Sequence, residues 1–290
     1  MQTIFSVQPT RLFFVLLLSL GLFSACNRED DEPVQQVLDS AEDNSIAENE
    51  YSAIYSFVEE QAENISVGKT ASDSLLPECA TVNIEEDNTQ ENRWLITIDF
   101  GPENCLCQDG YYRRGKVMVD FQGQYRQEGT TWSLSTEDYY FNDYKLEGTK
   151  TVTNLGNESG NYRYSVNVDN ARIVFPGDTA EITWNSDRVR ERIAGEGTLT
   201  PWDDIYVVTG NSSGVNRRGQ DFTADITQEL KFDMDCLRNG RNRHFKSGRI
   251  ELSSGGNSLT LDYDPVGGEP CDKIASIQWN DRDPNQIILR

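Results

Sequence analysis

The sequence predicts a mostly β protein: an antiparallel meander forming a sandwich or a curved sheet, preceded by one N-terminal amphipathic helix. Three observations predict it. Apolar and polar residues alternate with period two through most of the C-terminal two thirds. Glycine and asparagine clusters interrupt that alternation at short intervals. The composition, with 22 Gly, 12 Tyr, 12 Phe and 5 Trp, is that of strands joined by tight turns.

The elements follow in order. Leu12 to Phe23 is an apolar run of about a dozen residues with Arg11 before it. It is shorter than the roughly 20 residues that span a bilayer, and fits the core of a secretory signal. The run ends in Leu22-Phe23-Ser24-Ala25-Cys26. This resembles a bacterial lipobox, and the resemblance implies that residues 1–25 are removed and Cys26 carries the acyl (palmitate-type) anchor. Asn27, rather than Asp, follows the cysteine, which implies the outer membrane. Glu29-Asp30-Asp31-Glu32 resembles the acidic export signal of Bacteroidetes-type surface lipoproteins, which implies an outward-facing chain. Residues 26–49 are otherwise expected to be an acidic tether.

Loss of residues 1–25 takes Arg11 away, so the net charge moves from −22 to −23. Nucleic acid is an improbable partner for such a chain, since it demands a dense basic footprint. The remaining 265 residues suffice for one large β domain, expected over 50–290, or two related halves, about 70–155 and 156–290.

Tyr51, Ile54, Tyr55, Val58, Ala62 and Ile65 recur at three- and four-residue spacing, which predicts a helix over roughly Ala47 to Asn64. Period-two segments follow. Val117, Val119 and Phe121 share a face, and Trp132 and Leu134 come after a turn at Glu128-Gly129. Tyr144 and Leu146 come after Asn142-Asp143. Tyr162 to Val168, Ala180 to Trp184 and Phe222 to Phe232 complete the set. Consecutive strands with short turns and one apolar face each predict two packed layers, or one curved sheet closed over by a helix.

Five cysteines remain after Cys26, and an exported chain is expected to oxidise them. Leu95 to Pro102, reaching Cys107, parallels Ser258 to Pro265, reaching Cys271. Each is an alternating strand, then Asp, an aromatic residue and a Pro. Each is preceded by one cysteine, Cys79 or Cys236. A duplicated unit of this kind predicts the bonds Cys79–Cys107 and Cys236–Cys271, with Cys105 free or exchanging with Cys107. The segments Tyr140 to Asn154 and Asp235 to Asp272 resemble uncharacterised Bacteroidetes-type lipoproteins, a resemblance that implies no activity.

Candidate chemistry is sparse. Arg238, Arg241, Arg243 and His244 form a basic loop that could grip an anion or glycan carboxylate. Arg188, Arg190 and Arg192 alternate along one strand and are expected to form a solvated face. Trp202-Asp203-Asp204 sets an aromatic ring beside two carboxylates, as sugar sites do. Asp281 to Asn285 reads as a turn rather than a calcium loop, since it lacks the central glycine. Asp39-Ser40-Ala41, Asp73-Ser74-Leu75 and Asp178-Thr179-Ala180 match a short O-glycosylation pattern of Bacteroidetes-type exported proteins. No catalytic residue, metal ligand or cofactor is assigned. The function expected is binding or structure at the cell surface, with glycan or protein as partner. The alternatives are a periplasm-facing carrier of an apolar ligand and a carbohydrate-active enzyme.

Overall fold

The structure, a computed structural model, describes residues 32–67, 74–157, 160–195, 197–198, 200–238, 243–280 and 282–289. Cys26 and the acidic run up to Asp31 lie outside the described residues.

A single antiparallel sheet holds fourteen strands among the described residues. They are β1 (Thr81–Glu86), β2 (Arg93–Asp99), β3 (Cys105–Leu106), β4 (Tyr112–Gln122), β5 (Thr131–Phe141), β6 (Tyr144–Gly156) and β7 (Arg163–Val174). Then come β8 (Glu181–Ala194), β9 (Ile205–Val215), β10 (Asp221–Asp233), β11 (Ser247–Ser254), β12 (Asn257–Asp262), β13 (Ile274–Trp279) and β14 (Asn285–Ile288). The strands lie side by side in chain order, except that the two-residue β3 pairs off the path with β4. The expected meander is therefore present, as one curved sheet rather than a sandwich. The hydrogen bonding of β6 to β7 carries the sheet across residue 156, between the two halves the sequence suggested.

The helix α1 runs from Glu32 to Val67, much longer than the spacing predicted. It absorbs most of the expected tether, which is a correction: residues 32–49 are helical and pack into the fold. Local patterning missed them because their inward positions carry Asp39, Ser40, Asp43, Asn44 and Glu48 instead of apolar residues. The helix holds nine acidic residues and no basic one. Its own charges repel, so its stability must come from the sheet.

The sheet curls around this helix. Four consecutive helical residues point in four directions, about 100° apart. Glu48 meets Arg188 of β8, and Asn49 meets His244 ahead of β11. Glu50 meets Arg113 of β4, and the Tyr51 hydroxyl donates to the Glu147 carbonyl of β6. A flat sheet could not reach one helical turn from so many sides. The strands also follow the helix lengthwise. Along β8, Trp184, Arg188 and Arg192 contact Asn44, Glu48 and Glu59 in the same order.

The core lies between helix and sheet. Tyr51 stacks on Trp184, Tyr55 packs against Trp132 and Tyr164, and Phe57 packs against Phe100. The outward face is polar. Asn167, Asp187, Asn211, Asp225, Glu251 and Thr260 sit opposite one another across β7 to β12. None of the described helices is long and apolar enough to cross a membrane.

The two cysteine units share more than sequence. In each, the aspartate closing the strand accepts a backbone N–H two residues on, Gly101 to Asp99 and Asp264 to Asp262. The following aromatic residue, Phe100 or Tyr263, is buried. Each unit is a strand–loop–strand hairpin, β2 with β4 and β12 with β13. The disulfide Cys236–Cys271 forms as expected. The other expectation is corrected: Cys79 bonds Cys105, and Cys107 is the buried free thiol. Cys107 opens a tight turn, taking an N–H from Gly110 and giving one to Tyr111. That turn carries Cys107 toward the inward-facing Arg113 and leaves Cys105 beside Cys79.

Candidate functional site

The curled sheet turns side chains of β8 inward that any local reading places in water. Arg188, Arg190 and Arg192 are 2 %, 4 % and 2 % exposed. The expected solvated face is thus the inner face, where Arg188 and Arg192 are counter-charges for the helix and Arg190 lies over the rings of Tyr55 and Tyr206. Arg188 donates to Glu48 at 2.7 Å, and Arg192 donates to Glu59 at 3.0 Å. Arg113 of β4 does the same for Glu50, and adds a bidentate grip on Asp109 at 2.8 and 2.7 Å. Burial opposes the charge on Asp109, but the Arg113 guanidinium beside it holds its carboxyl below the usual range. At the start of the helix, Arg217 and Arg218 pair with Asp43 and Asp39.

Near the far end of the helix a tighter cluster forms. Tyr206 Oη lies 2.8 Å from Glu59 Oε2 and 2.7 Å from Asp204 Oδ2. A phenol has one hydrogen to donate, so two ionised carboxylates cannot both be satisfied there. Burial pushes the Asp204 carboxyl up to about 7, against the opposing pull of Arg192. The Tyr206 hydroxyl thus has two carboxylate acceptors within reach, Glu59 and Asp204, and can donate to one at a time. The adjacent cavity, lined by Glu59, Glu63, Asp204, Tyr206 and Met234, measures about 20 Å³, open to a water-sized sphere. That admits one water, not a sugar ring.

The paired-carboxylate suggestion at Trp202-Asp203-Asp204 is corrected accordingly. Asp203 is exposed and accepts from Thr198 at 2.8 Å, whereas Asp204 points inward, so the neighbours do not act together. Trp202 is buried, with Arg238 over its ring at 5.3 Å.

The basic loop is described in part. Arg241 lies outside the described residues. Arg243 stacks on Tyr111 at 3.6 Å, and His244, 7 % exposed, meets Asn49 across 3.2 Å. Burial pulls the Arg243 guanidinium down from its ordinary value. Arg238, Arg243 and His244 each contact protein groups, Trp202, Tyr111 and Asn49 in turn. Ser40 is fully buried and Ser74 donates to Glu60, whereas Thr179 is exposed. Arg282, in the turn between β13 and β14, lies over the Trp279 ring.

Two open recesses are of the size of part of an organic ligand, one of about 380 Å³ on the polar face of β7 to β9, beside Asn167, Asp187 and Asn211, and one against α1. Ala62 and Ile65 of α1, Trp94, Phe121 and Tyr125 with Asn92, Gly123 and Gln124 line an open groove of about 280 Å³. Beside it runs β1, which pairs only with β2 among the described residues. Val82 and Ile84 stand opposite the buried Ile98 and Ile96 and so share their inner face, yet are 37 % and 38 % exposed. The groove follows from the sheet closing around the helix less completely at β1 than elsewhere. Sequence reasoning missed it because its members come from separate elements.

Comparison with known proteins gives no match to a family model, a curated protein or a solved structure.

Proposed function

We propose that this chain is a lipid-anchored lipoprotein of the outer membrane, facing outward, with a binding or structural role at the cell surface. The lipobox-like Leu22 to Cys26 and the acidic residues after it support the anchor and the destination. The observation that carries the role is the filling of the sheet by α1. Its interior is occupied by the protein's own helix and salt bridges, so recognition falls to the surface. A helix of 36 residues is about 54 Å long. The Trp94–Phe121 groove lies at the C-terminal end of this helix, the end opposite the one that leads back to Cys26.

Protease shaving of intact cells tests this, with a periplasmic protein as leakage control. Release of the β domain while the control survives is the expected result. Protection until the outer membrane is broken would remove the outward-facing reading. Cys26→Ala should abolish incorporation of labelled palmitate.

A second reading is favoured by the aromatic lining of the groove: a periplasm-facing carrier whose apolar ligand lies against Trp94, Phe121 and Tyr125. Displacement of an apolar dye by lipid, lost in Trp94→Ala, would support it. The carbohydrate-active enzyme is not proposed, because Asp203 and Asp204 diverge.

A further inference from the structure

The curled sheet ends in two edges among the described residues, β1 and β14. They differ. β14 is four residues long and starts directly after Pro284, and shortness and proline both blunt an edge. β1 keeps six residues in unbroken register with β2. Its sequence, Thr81-Val82-Asn83-Ile84-Glu85-Glu86, holds no proline, glycine or lysine. One hydrogen bond fixes where its backbone points. Asp87 N donates to the Arg93 carbonyl at 2.9 Å, so these two form a bonded pair of the ladder. Bonded and non-bonded pairs alternate along antiparallel strands. Thr81, Asn83 and Glu85 therefore bond β2, and the N–H and C=O groups of Val82, Ile84 and Glu86 point to the open edge.

The side chains of the same three residues lie on the inner face. Val82 and Ile84 stand opposite the buried Ile98 and Ile96, and Glu86 stands opposite Trp94, which lines the groove. A strand laid against β1 would gain main-chain hydrogen bonds and set alternate side chains over Val82, Ile84 and the groove. Charge selects that strand. Glu85 and Glu86 are exposed, and among the described residues no cation pairs with them; Glu85 accepts from Asn83 at 2.7 Å. Arg93, opposite Asp87, is already held by Asp87 and Asp120. The whole chain carries −22, so a second copy is repelled and a cationic segment is attracted.

We propose that β1 is a docking edge for an extended segment of another protein, which adds to the sheet as a further antiparallel strand. The segment is apolar at the two alternate positions facing Val82 and Ile84, and basic at the two facing Glu85 and Glu86. This rests on the surface-binding role proposed above and names the class of partner.

The test uses the full-length chain in non-ionic detergent and a labelled peptide of that pattern, Lys-Lys-Val-Thr-Val-Thr, followed by fluorescence anisotropy. Saturable binding that weakens as salt rises is the expected result. N-methylation of the two valine amides should weaken it about tenfold or more, through the loss of two main-chain hydrogen bonds. Ile84→Pro removes an N–H that β2 does not use, so β1 should stay paired while binding is lost. Glu85→Lys with Glu86→Lys should lose this peptide and gain one with glutamates in place of its lysines. Residue-resolved amide exchange should find Val82, Ile84 and Glu86 fast in the free chain and slowed by the peptide, with Asn83 and Glu85 slow throughout. Slow exchange at Val82 and Ile84 before peptide is added would overturn the proposal, by showing the edge already covered by this chain or a second copy. Absence of binding would overturn it as well, and so would binding undiminished by N-methylation or Ile84→Pro. Any of these removes the docking edge alone, since protease shaving reads the location of the chain independently.

Discussion

Glu50 of α1 and Arg113 of β4, both wholly buried, face each other through two hydrogen bonds of 3.0 and 2.9 Å. Tyr139 Oη adds a third, 2.5 Å from Glu50 Oε1. The contact joins residues 63 positions apart and fixes the helix against the first half of the sheet. Glu50→Ala leaves Arg113 with Asp109 alone and Tyr139 without an acceptor. A loss of about 3–5 kcal/mol is expected in urea unfolding. A double-mutant cycle with Arg113→Ala should return a coupling of about 0.5–3 kcal/mol.

Asp204 makes stability depend on pH in an unusual sense for a carboxylate. Its folded value is raised from 3.8 to about 7, so between those limits the folded state holds a proton that the unfolded chain has released. The groups facing it are Glu59 and Glu63 from α1, Arg192 from β8 and Tyr206 from β9. Its contribution is fully present below pH 4 and declines as pH rises to 7, by up to about 1.4 kcal/mol per pH unit. Asp204→Asn should flatten this part of the stability profile. An unchanged profile in that variant would mean the proton resides elsewhere.

Peptide mapping under non-reducing conditions should find Cys79 joined to Cys105. Cys107 should resist iodoacetamide in the native protein and react after denaturation, since burial pushes its thiol up to about 11. Loss of the Cys79–Cys105 bond, through Cys79→Ser with Cys105→Ser, should cost about 2–4 kcal/mol.

Gly115 interrupts β4 at a register shift between Arg114 and Lys116. Its φ of +84° suits glycine, and a Cβ there would fall 2.0 Å from the backbone oxygen of Asp138. Gly115→Ala must therefore move β5 or unbend β4. A destabilisation of more than about 2 kcal/mol, read as a fall in the urea midpoint, is expected.

The sequence by itself determined most of the strands, though not β1, β9 or β14, the inward residues Val117, Val119, Phe121, Trp132 and Trp184, and the Cys236–Cys271 bond. Alternation and turn chemistry act over a few residues, so they are legible locally. The tertiary structure alone decided the fate of the charges. Glu48 and Arg188 are 140 positions apart, and each by itself has the pattern of a solvated side chain. Only the curling of the sheet around α1 brings them together, and only together can they be buried. The same closure turned an expected tether into a core helix, chose Cys105 over Cys107, and left the groove beside Trp94.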